Sequence, residues 1–346
     1  MKVALAIHHH SPGYGGPYTA ISETAYYLYK KNLEIKLLEN QNQYTSFKRD
    51  YNSIFKRIDL LHYFGIWTPN HFKVFYSAKK AKKKIIISPL GALEPWAMKQ
   101  KKIKKKLAWF AYQKKILDNC DYIHATSDDE KKHLIDLKIT TPIKVIPHGV
   151  VISNVKKNNF IKNKKKALFF SRIHEKKGLL ELVDSWHEVN NQNWILEIYG
   201  PVSDDSYFSE VKKRIVKLNL KENIKIFKPQ YDKKKKEEII LSSDCFILPS
   251  KSENFGMSIV EALSYGIPVL TTTATPWAIL QKKNAGIIFN FSKENLTDSL
   301  RKITNMSSEK LYEMGKNGRD FLIENYEINK VIDNYINFYK EVLNNK

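Results

Sequence analysis

Two glutamates eight positions apart, Glu253 and Glu261, frame the stretch of this sequence that is best suited to chemistry. The apolar run 244–249 before them predicts a buried strand, and a helix is predicted from Ser258. Ligands bind at such strand–turn–helix junctions in open α/β sheets, where unpaired helix N–H groups suit an anion such as a phosphate. Glu261 falls one turn after Met257 and Ser258, so its carboxylate can look back at the helix mouth. A carboxylate repels a diphosphate but accepts hydrogen bonds from a sugar diol, so the pattern indicates a ligand with phosphate and sugar parts.

The run 250–261, with Asn254-Phe255-Gly256 between the two glutamates, resembles the signature of the family 4 (group 1) glycosyltransferases. The resemblance covers nearly the whole chain and is strongest over 88–127 and 166–277, where it favours the bacterial surface-polysaccharide branch. It implies the GT-B fold, an α/β architecture of two Rossmann-like doubly wound parallel-sheet domains facing across a cleft. It also implies retaining, metal-independent transfer from a nucleotide-diphosphate sugar.

The resemblance gives the site residues their roles. Arg172 and Lys177 follow a predicted strand and precede a predicted helix, as a phosphate site requires, and in the family they bind the donor diphosphate. Together they could replace a divalent metal, and the sequence has no Asp-x-Asp, so neither a metal nor another cofactor is expected. Glu261 would hold the ribose diol, while Glu253 would contact the transferred sugar or stabilise the positive charge developing on it. The expected catalytic residues are Arg172, Lys177 and Glu253, and the expected donor-binding residues are Gly15, Gly16, Asn254, Phe255, Gly256, Met257, Ser258 and Glu261.

Gly15 and Gly16 belong to a glycine-rich loop between a first strand, 2–7, and a helix from Tyr18. In the family, a Gly-Gly pair here brings backbone amides to the donor diphosphate. Three adjacent histidines, 8–10, also lie in this loop. Adjacent loop residues rarely converge on one ion without further ligands, so no metal site is predicted there.

The length and the strand–helix alternation predict two domains of ordinary size. We expect an acceptor-side domain at 1–150, a linker at 151–165, a nucleotide-sugar domain at 166–327 and a final helix, 328–346, that crosses back to the first domain. Segment 40–57 is predicted to be irregular and 107–112 to be helical.

At several positions the sequence departs from the family pattern or leaves the role of the residue undecided. Leu90 stands where histidine or arginine is usual, which alters a loop that contacts the donor sugar in relatives, and Ala278 replaces an acidic residue. The turn 228–230 lacks the usual glycine, so the nucleobase cannot be read from it. His124 either is a buried structural residue or faces the cleft.

The net charge of +22 favours an anionic partner, or reflects only lysine-rich residue usage. Six lysines precede an aromatic helix, which suits an anionic membrane surface, although a solvated lysine face over an aromatic core fits as well. The residues expected at that surface are Lys99, Lys101, Lys102, Lys104, Lys105, Lys106 and Trp109. No apolar run is long enough to span a membrane and no signal peptide is recognised. Cys120 and Cys245 suit a reduced, cytoplasmic protein, peripheral on the inner face of the membrane if the lysine stretch binds lipid.

These observations favour a hexosyl- or N-acetylhexosaminyltransferase that extends a growing glycan, lipid-linked surface polysaccharide or lipopolysaccharide being the expected acceptor class. A sugar-nucleotide epimerase of the same fold would turn over its donor without an acceptor. A basic nucleic-acid-binding protein would explain the charge but would leave Glu253, Glu261, Arg172 and Lys177 without a role, and no nucleic-acid motif is present.

Overall fold

The computed structural model describes residues 1–7, 16–39, 51–157 and 164–345. Within them the chain forms two compact units, residues 1–149 with 328–346, and residues 150–327. The histidines 8–10, Gly15 and the linker positions 158–163 lie outside the described residues.

The first unit is built on a parallel sheet in the order β2-β1-β3-β4-β5-β6. The strands are β1 (Lys2–Ile7), β2 (Glu34–Glu39), β3 (Leu60–Phe64), β4 (Lys84–Ser88), β5 (Tyr122–Ala125) and β6 (Ile143–Val145). The intervening helices are α1 (Gly16–Lys30), α2 (Tyr51–Lys56), α3 (Pro69–Lys80), α4 (Pro95–Lys99), α5 (Lys102–Ala108), α6 (Lys114–Asp118) and α7 (Asp128–Asp136), with a π-helical turn, Trp109–Gln113, between α5 and α6. All five residues of β3 are buried, as expected of a strand covered on both faces.

The second unit repeats this plan with the strand order β12-β11-β10-β7-β8-β9. Its strands are β7 (Lys165–Phe170), β8 (Trp194–Tyr199), β9 (Ile224–Phe227), β10 (Cys245–Leu248), β11 (Val269–Thr272) and β12 (Gly286–Phe289). Its helices are α8 (Leu179–Val189), α9 (Asp205–Lys217), α10 (Lys233–Ser242), α11 (Met257–Ser264), α12 (Ile279–Lys282), α13 (Lys293–Thr304) and α14 (Ser308–Tyr326), and a 3₁₀ turn, Glu175–Lys177, precedes α8. The chain then returns to the first unit as α15 (Ile328–Asn344).

Two predicted elements differ from the structure. The segment predicted to be irregular contains α2 in its described part, because Phe55 anchors one turn in the core at 0% exposure. The helix predicted at 107–112 begins five residues earlier, at Lys102, and passes through the π-helical turn. No helix within the described ranges is both long and apolar enough to cross a membrane.

Candidate active site

The predicted ligand turn lies where the winding of the second sheet reverses. β7 leads through α8 to β8 on one side, whereas its other neighbour, β10, leads through α11 to β11. Connections that leave adjacent strand ends in opposite directions open the crevice in which doubly wound sheets bind ligands. Gly178, at a φ of +69°, lets the two connections approach, because a Cβ there would lie 2.2 Å from the carbonyl oxygen of Pro249.

The turn after β10 ends in an uncapped helix N-terminus. Gly256 precedes α11 in the left-handed conformation, with a φ of 79°, and supplies no side-chain cap. The indole N–H of Trp277 donates to the carbonyl of Phe255 at 2.5 Å and fixes the turn. Among the described residues, the amides of Met257 and Ser258 have no hydrogen-bond partner. Two free N–H groups at the positive end of a helix form a ready anion site.

Lys177 and Glu253 meet at this crevice in a buried ion pair. Lys177 ends the 3₁₀ turn after β7, and its ammonium contacts Oε1 of Glu253 in the turn after β10. Each side chain is only 10% exposed, and Ser250 Oγ donates to the same carboxylate oxygen at 2.9 Å. Burial acts to raise the pKa of Glu253, but Lys177, Lys176 and the Ser250 hydrogen bond lower it, so the pKa lies below its usual value. Glu253 is therefore ionised and held in place.

Arg172 lies in the connection directly after β7 and is exposed. The backbone around it is fixed, since Ile173 N–H donates to Pro201 at 2.9 Å and a Cβ on Gly200 would lie 1.7 Å from the Ser171 carbonyl oxygen. In the part of the chain that the structure describes, the guanidinium has no hydrogen-bond or ion-pair partner. An unpaired guanidinium after β7, next to the strand that leads into the uncapped helix, is suited to bind a phosphate.

Glu261 carries a partner that the sequence does not indicate. The ammonium of Lys236, on α10, lies 2.6 Å from both carboxylate oxygens of Glu261 on α11. The same ammonium lies 5.1 Å from the ring centroid of Phe170, the last residue of β7. Lys236 ends a run of four lysines, and no spacing or motif distinguishes it from the other three.

The remaining predicted donor residues lie in the turn before α11 or at the start of α1. Phe255 is 5% exposed and packs against Trp277 and Tyr326, so its ring belongs to the core and its backbone is what borders the turn. Asn254 precedes it in the same turn. Gly16 is the first residue of α1, in the first unit.

In the first unit, Glu130 joins two of the connections at the carboxyl edge of the sheet. Its Oε1 accepts the amide of Gly91 at 2.7 Å, and its Oε2 accepts the amide of Thr126 at 2.8 Å. Leu90 lies in the same connection with a φ of 54°, an uncommon conformation for a branched residue. The connection that contains Leu90 is thus held by a buried carboxylate.

His124 is buried at 0% exposure and belongs to a polar chain that crosses the first sheet. Its Nε2 must donate to the Ile146 carbonyl at 2.7 Å, so its Nδ1 accepts from Ser88 Oγ at 2.6 Å. Ser88 in turn accepts from His62 Nε2 at 2.7 Å, and His62 Nδ1 accepts from the Tyr339 hydroxyl at 2.9 Å. Burial lowers the pKa of His124 to about 4 and holds the pKa of His62 well below its usual value, so both imidazoles are neutral at pH 7. The structural reading of His124 is the one observed.

The basic stretch 99–106 divides between inward and outward residues. Lys105 donates to the Ala97 carbonyl at 2.6 Å and lies over the ring of Trp67, and Trp109 packs on the same ring, so these two face the protein rather than solvent. The outward face carries three large apolar side chains instead. They are Ile103, Leu107 and Phe110, exposed at 78%, 68% and 74%.

Comparison with known proteins agrees with the fold. The profile of the family "Glycosyl transferases group 1" matches residues 151–321, and that of "Glycosyltransferase Family 4" matches residues 7–154. An uncharacterised 41.2 kDa protein in the cps region of Klebsiella pneumoniae is 25% identical over 83% of this chain and 73% of its own length. An amylovoran biosynthesis glycosyltransferase of Erwinia amylovora is 28% identical over 44% of this chain and 41% of its own.

Solved structures show the same architecture at low sequence identity. Sucrose-phosphate synthase from Thermosynechococcus elongatus superposes with a TM-score of 0.80 at 14% identity, covering 99% of each chain. Anabaena HepE, in complex with UDP and glucose, superposes with a TM-score of 0.77 at 16% identity, covering 98% of this chain and 99% of that one.

The doubly wound sheet in each unit and the likeness to these structures show the GT-B fold. The chain belongs to the group 1 glycosyltransferases of family 4, as the resemblance of its motifs implied.

Proposed function

We propose that this protein transfers a sugar, with retention of the anomeric configuration and without a metal, from a nucleotide-diphosphate sugar to a growing glycan on a lipid carrier. The observation that carries the proposal is the convergence of Lys177, Glu253 and the uncapped start of α11 at one switch point. Relatives named for amylovoran synthesis and for mannosyl transfer from GDP-mannose to cellobiosyl-diphosphopolyprenol support the glycan and the lipid carrier. HepE with UDP and glucose supports a nucleotide sugar as donor.

In this proposal, leaving-group stabilisation carries the chemistry. Arg172 offers an unpaired guanidinium, and Met257 and Ser258 offer free amides, all aimed at the charge that grows on the departing diphosphate. Lys177 adds a second cation, and the two cations together take over the part that a divalent metal ion plays elsewhere. A diphosphate that reaches Lys177 competes with Glu253 for the ammonium, so donor binding loosens the carboxylate beside the reacting sugar.

Glu253 and Glu261 then have different tasks. Glu253 is ionised and buried, as a group that faces developing positive charge on a sugar should be. Glu261 is a quarter exposed at 26%, at the second turn of α11, where it accepts hydrogen bonds from a ribose diol.

The test of this proposal is a binding and turnover panel in EDTA. Thermal unfolding with UDP, GDP and ADP and with their sugars identifies the base, because a ligand at about 100 times its Kd adds roughly 2.7 kcal/mol to the free energy of unfolding. NMR of the product made in EDTA reports the anomeric configuration. An inverted product, or turnover restored only by a divalent cation, would contradict the mechanism; hydrolysis or isomerisation of the donor without acceptor would favour an epimerase.

We further propose that the outward face of α5 docks on an anionic membrane. Ile103, Leu107 and Phe110 recur at the spacing of one helical face, and the exposed lysines around them are Lys99, Lys101, Lys102, Lys104 and Lys106. No acidic residue occurs from position 95 to 117, so the face attracts anionic headgroups while its apolar side chains enter the acyl boundary. This arrangement gives the enzyme access to an acceptor on a lipid carrier.

Co-sedimentation with vesicles tests the docking face. We expect binding to phosphatidylcholine vesicles that contain phosphatidylglycerol, weaker binding in high salt, and loss of binding when Ile103, Leu107 and Phe110 are all changed to serine. A matched control changes Ile135 and Val216, which are exposed at 55% and 52% but belong to other helices, α7 and α9. Equal binding of both variants would overturn the docking face.

A further inference from the structure

Lys236 contacts Glu261 in the proposed donor site, but the proposed function gives it no role. Its ammonium lies 2.6 Å from Oε1 and 2.6 Å from Oε2 of Glu261, so it spans the carboxylate instead of contacting one oxygen. A pair of this symmetry fixes the rotation of the carboxylate plane as well as its position.

The lysine itself is held from a second side. The Phe170 ring under its ammonium is stacked on Tyr199, with ring centroids 5.7 Å apart and planes at 10°. Tyr199 is stacked in the same way on Phe227, at 4.6 Å and 10°. These three residues end β7, β8 and β9, so a row of rings fixed on three adjacent strands supports the cation.

A neighbouring contact reinforces the alignment of the two helices. The Tyr265 hydroxyl donates to Oε2 of Glu237 at 3.0 Å. Glu237 follows Lys236 on α10, and Tyr265, directly after the end of α11, lies one turn beyond Glu261. α10 buries only Ile240, so these polar contacts contribute much of what aligns it with α11. The position of Glu261 is therefore defined jointly by two helices.

The hydrogen-bonding capacity of the carboxylate decides what Lys236 leaves available. A carboxylate offers about four lone-pair directions, two on each oxygen. An ammonium that contacts both oxygens occupies one direction on each, and one on each oxygen remains. Those two lone pairs point away from each other, too far apart for one pair of vicinal hydroxyls, so each can accept from a single hydroxyl.

We propose that Lys236 is a positioning residue of the nucleotide site, which orients Glu261 so that one of its remaining lone pairs faces the 2′-hydroxyl of the ribose diol. The proposal rests on the proposed function, in which Glu261 binds that diol. Lys236 also neutralises the carboxylate, which lowers its repulsion of the diphosphate.

Binding affinity, more than folding, should report this role. Both side chains keep 26% of their surface exposed, so water screens the pair and its contribution to the free energy of unfolding should be modest. A structural role alone would change stability and would leave the discrimination between ribose and deoxyribose untouched.

The chain supplies a closely matched control. Lys251 pairs with Glu181 at 2.7 Å, the two side chains are 26% and 27% exposed, and its ammonium lies 5.3 Å from the centroid of Phe291. Lys251→Met therefore removes the same kind of pair from the same unit without touching Glu261.

The experiment measures, by calorimetry, the affinity of UDP, GDP and ADP and of their 2′-deoxy counterparts for the full-length protein. For the nucleotide that binds, we expect the wild type and Lys251→Met to prefer the ribose form by about tenfold or more, the range for a hydrogen bond to a charged group. Lys236→Met should reduce that preference to less than about threefold with little change in melting temperature, and Lys236→Arg should restore most of it. If Lys236→Met does not fold, Lys236→Gln takes its place.

The outcomes distinguish a failure of this proposal from a failure of the proposed function on which it rests. A full ribose preference in Lys236→Met, together with its loss in Glu261→Gln, overturns the role of Lys236 and leaves that of Glu261 intact. No ribose preference in the wild type, or a preference that survives in Glu261→Gln, refutes the ribose assignment and the role of Lys236 with it. A wild-type protein that binds none of the nucleotides refutes the donor site as a whole.

Discussion

Lys177 and Glu253 lie 76 positions apart in the sequence and form a buried ion pair, one from the connection after β7 and the other from the connection after β10. β7 and β10 are neighbours in the sheet although β8 and β9 come between them along the chain. The pair therefore joins the two connections that border the proposed donor site, and it links the stability of the second unit to the chemistry of its crevice.

Removing one partner of this pair should destabilise the protein markedly. Lys177→Met leaves an uncompensated buried carboxylate, for which about 3–5 kcal/mol of unfolding free energy is typical. The double variant Lys177→Met/Glu253→Met should cost less than the sum of the two single changes, because neither charge is then left alone. Urea unfolding measures each value.

Lys225→Met is the matched control, since Lys225 pairs with Glu222 at side-chain exposures of 40% and 90% and should change stability by less than about 0.5 kcal/mol. Additive single and double variants would show that Lys177 and Glu253 do not interact energetically.

The same pair predicts how stability depends on pH. The pKa of Glu253 is lower in the folded protein than its usual 4.5, so its contribution is fully present above 4.5 and is lost as the pH falls through the lower folded value. The difference in unfolding free energy between wild type and Glu253→Gln should be constant from pH 8 to about pH 5 and should shrink below it. A difference that grows on acidification would contradict the sign of the shift.

Arg172→Ala should separate activity from stability. The side chain is exposed and has no ion-pair or hydrogen-bond partner among the described residues, so its loss should leave the melting temperature nearly unchanged. We expect kcat to fall about 100- to 1000-fold, as on removal of one preorganised group that stabilises developing charge. Arg301→Ala, which removes another exposed arginine of the same unit, should keep wild-type turnover. Wild-type turnover in Arg172→Ala would refute the diphosphate role.

Ser88→Ala should weaken the first unit. It leaves His62 Nε2 without an acceptor and His124 Nδ1 without a donor, and each buried group of this kind costs about 1–3 kcal/mol. Urea unfolding followed by hydrogen exchange in α15 measures the loss. Ser185→Ala is the control, because Ser185 is equally buried but makes one long contact, 3.4 Å, to the Lys293 carbonyl. Equal stability of the two variants would contradict the directed chain of hydrogen bonds.

Local patterns sufficed for most of the architecture. β1 begins and ends where the first strand is predicted, at 2–7, β10 lies within the apolar run 244–249, and α11 begins one residue before the predicted Ser258. β12 was missed because Gly286–Phe289 is short and follows a polar turn without a clear strand signal.

Local sequence patterns do not predict the partners of the site residues. Arg172, Lys177, Glu253 and Glu261 can each be proposed as site residues from the sequence because each lies in a recognisable strand–turn–helix context. Their partners depend on which strands are neighbours, and nothing within the run 233–236 indicates that Lys236 should face Glu261. The sequence likewise predicts Lys105 and Trp109 at the surface, because composition does not show which side of this helical segment faces Trp67.

The return of α15 to the first unit sets an order of events during synthesis. Residues 150–327 are contiguous, so the second unit can fold as soon as they leave the ribosome. The first unit completes its folding later, because Tyr339, whose hydroxyl completes the polar chain at His62, is translated after the whole second unit. Until then its sheet leaves buried imidazoles without their last partner, so the half that is translated first is the half that matures last.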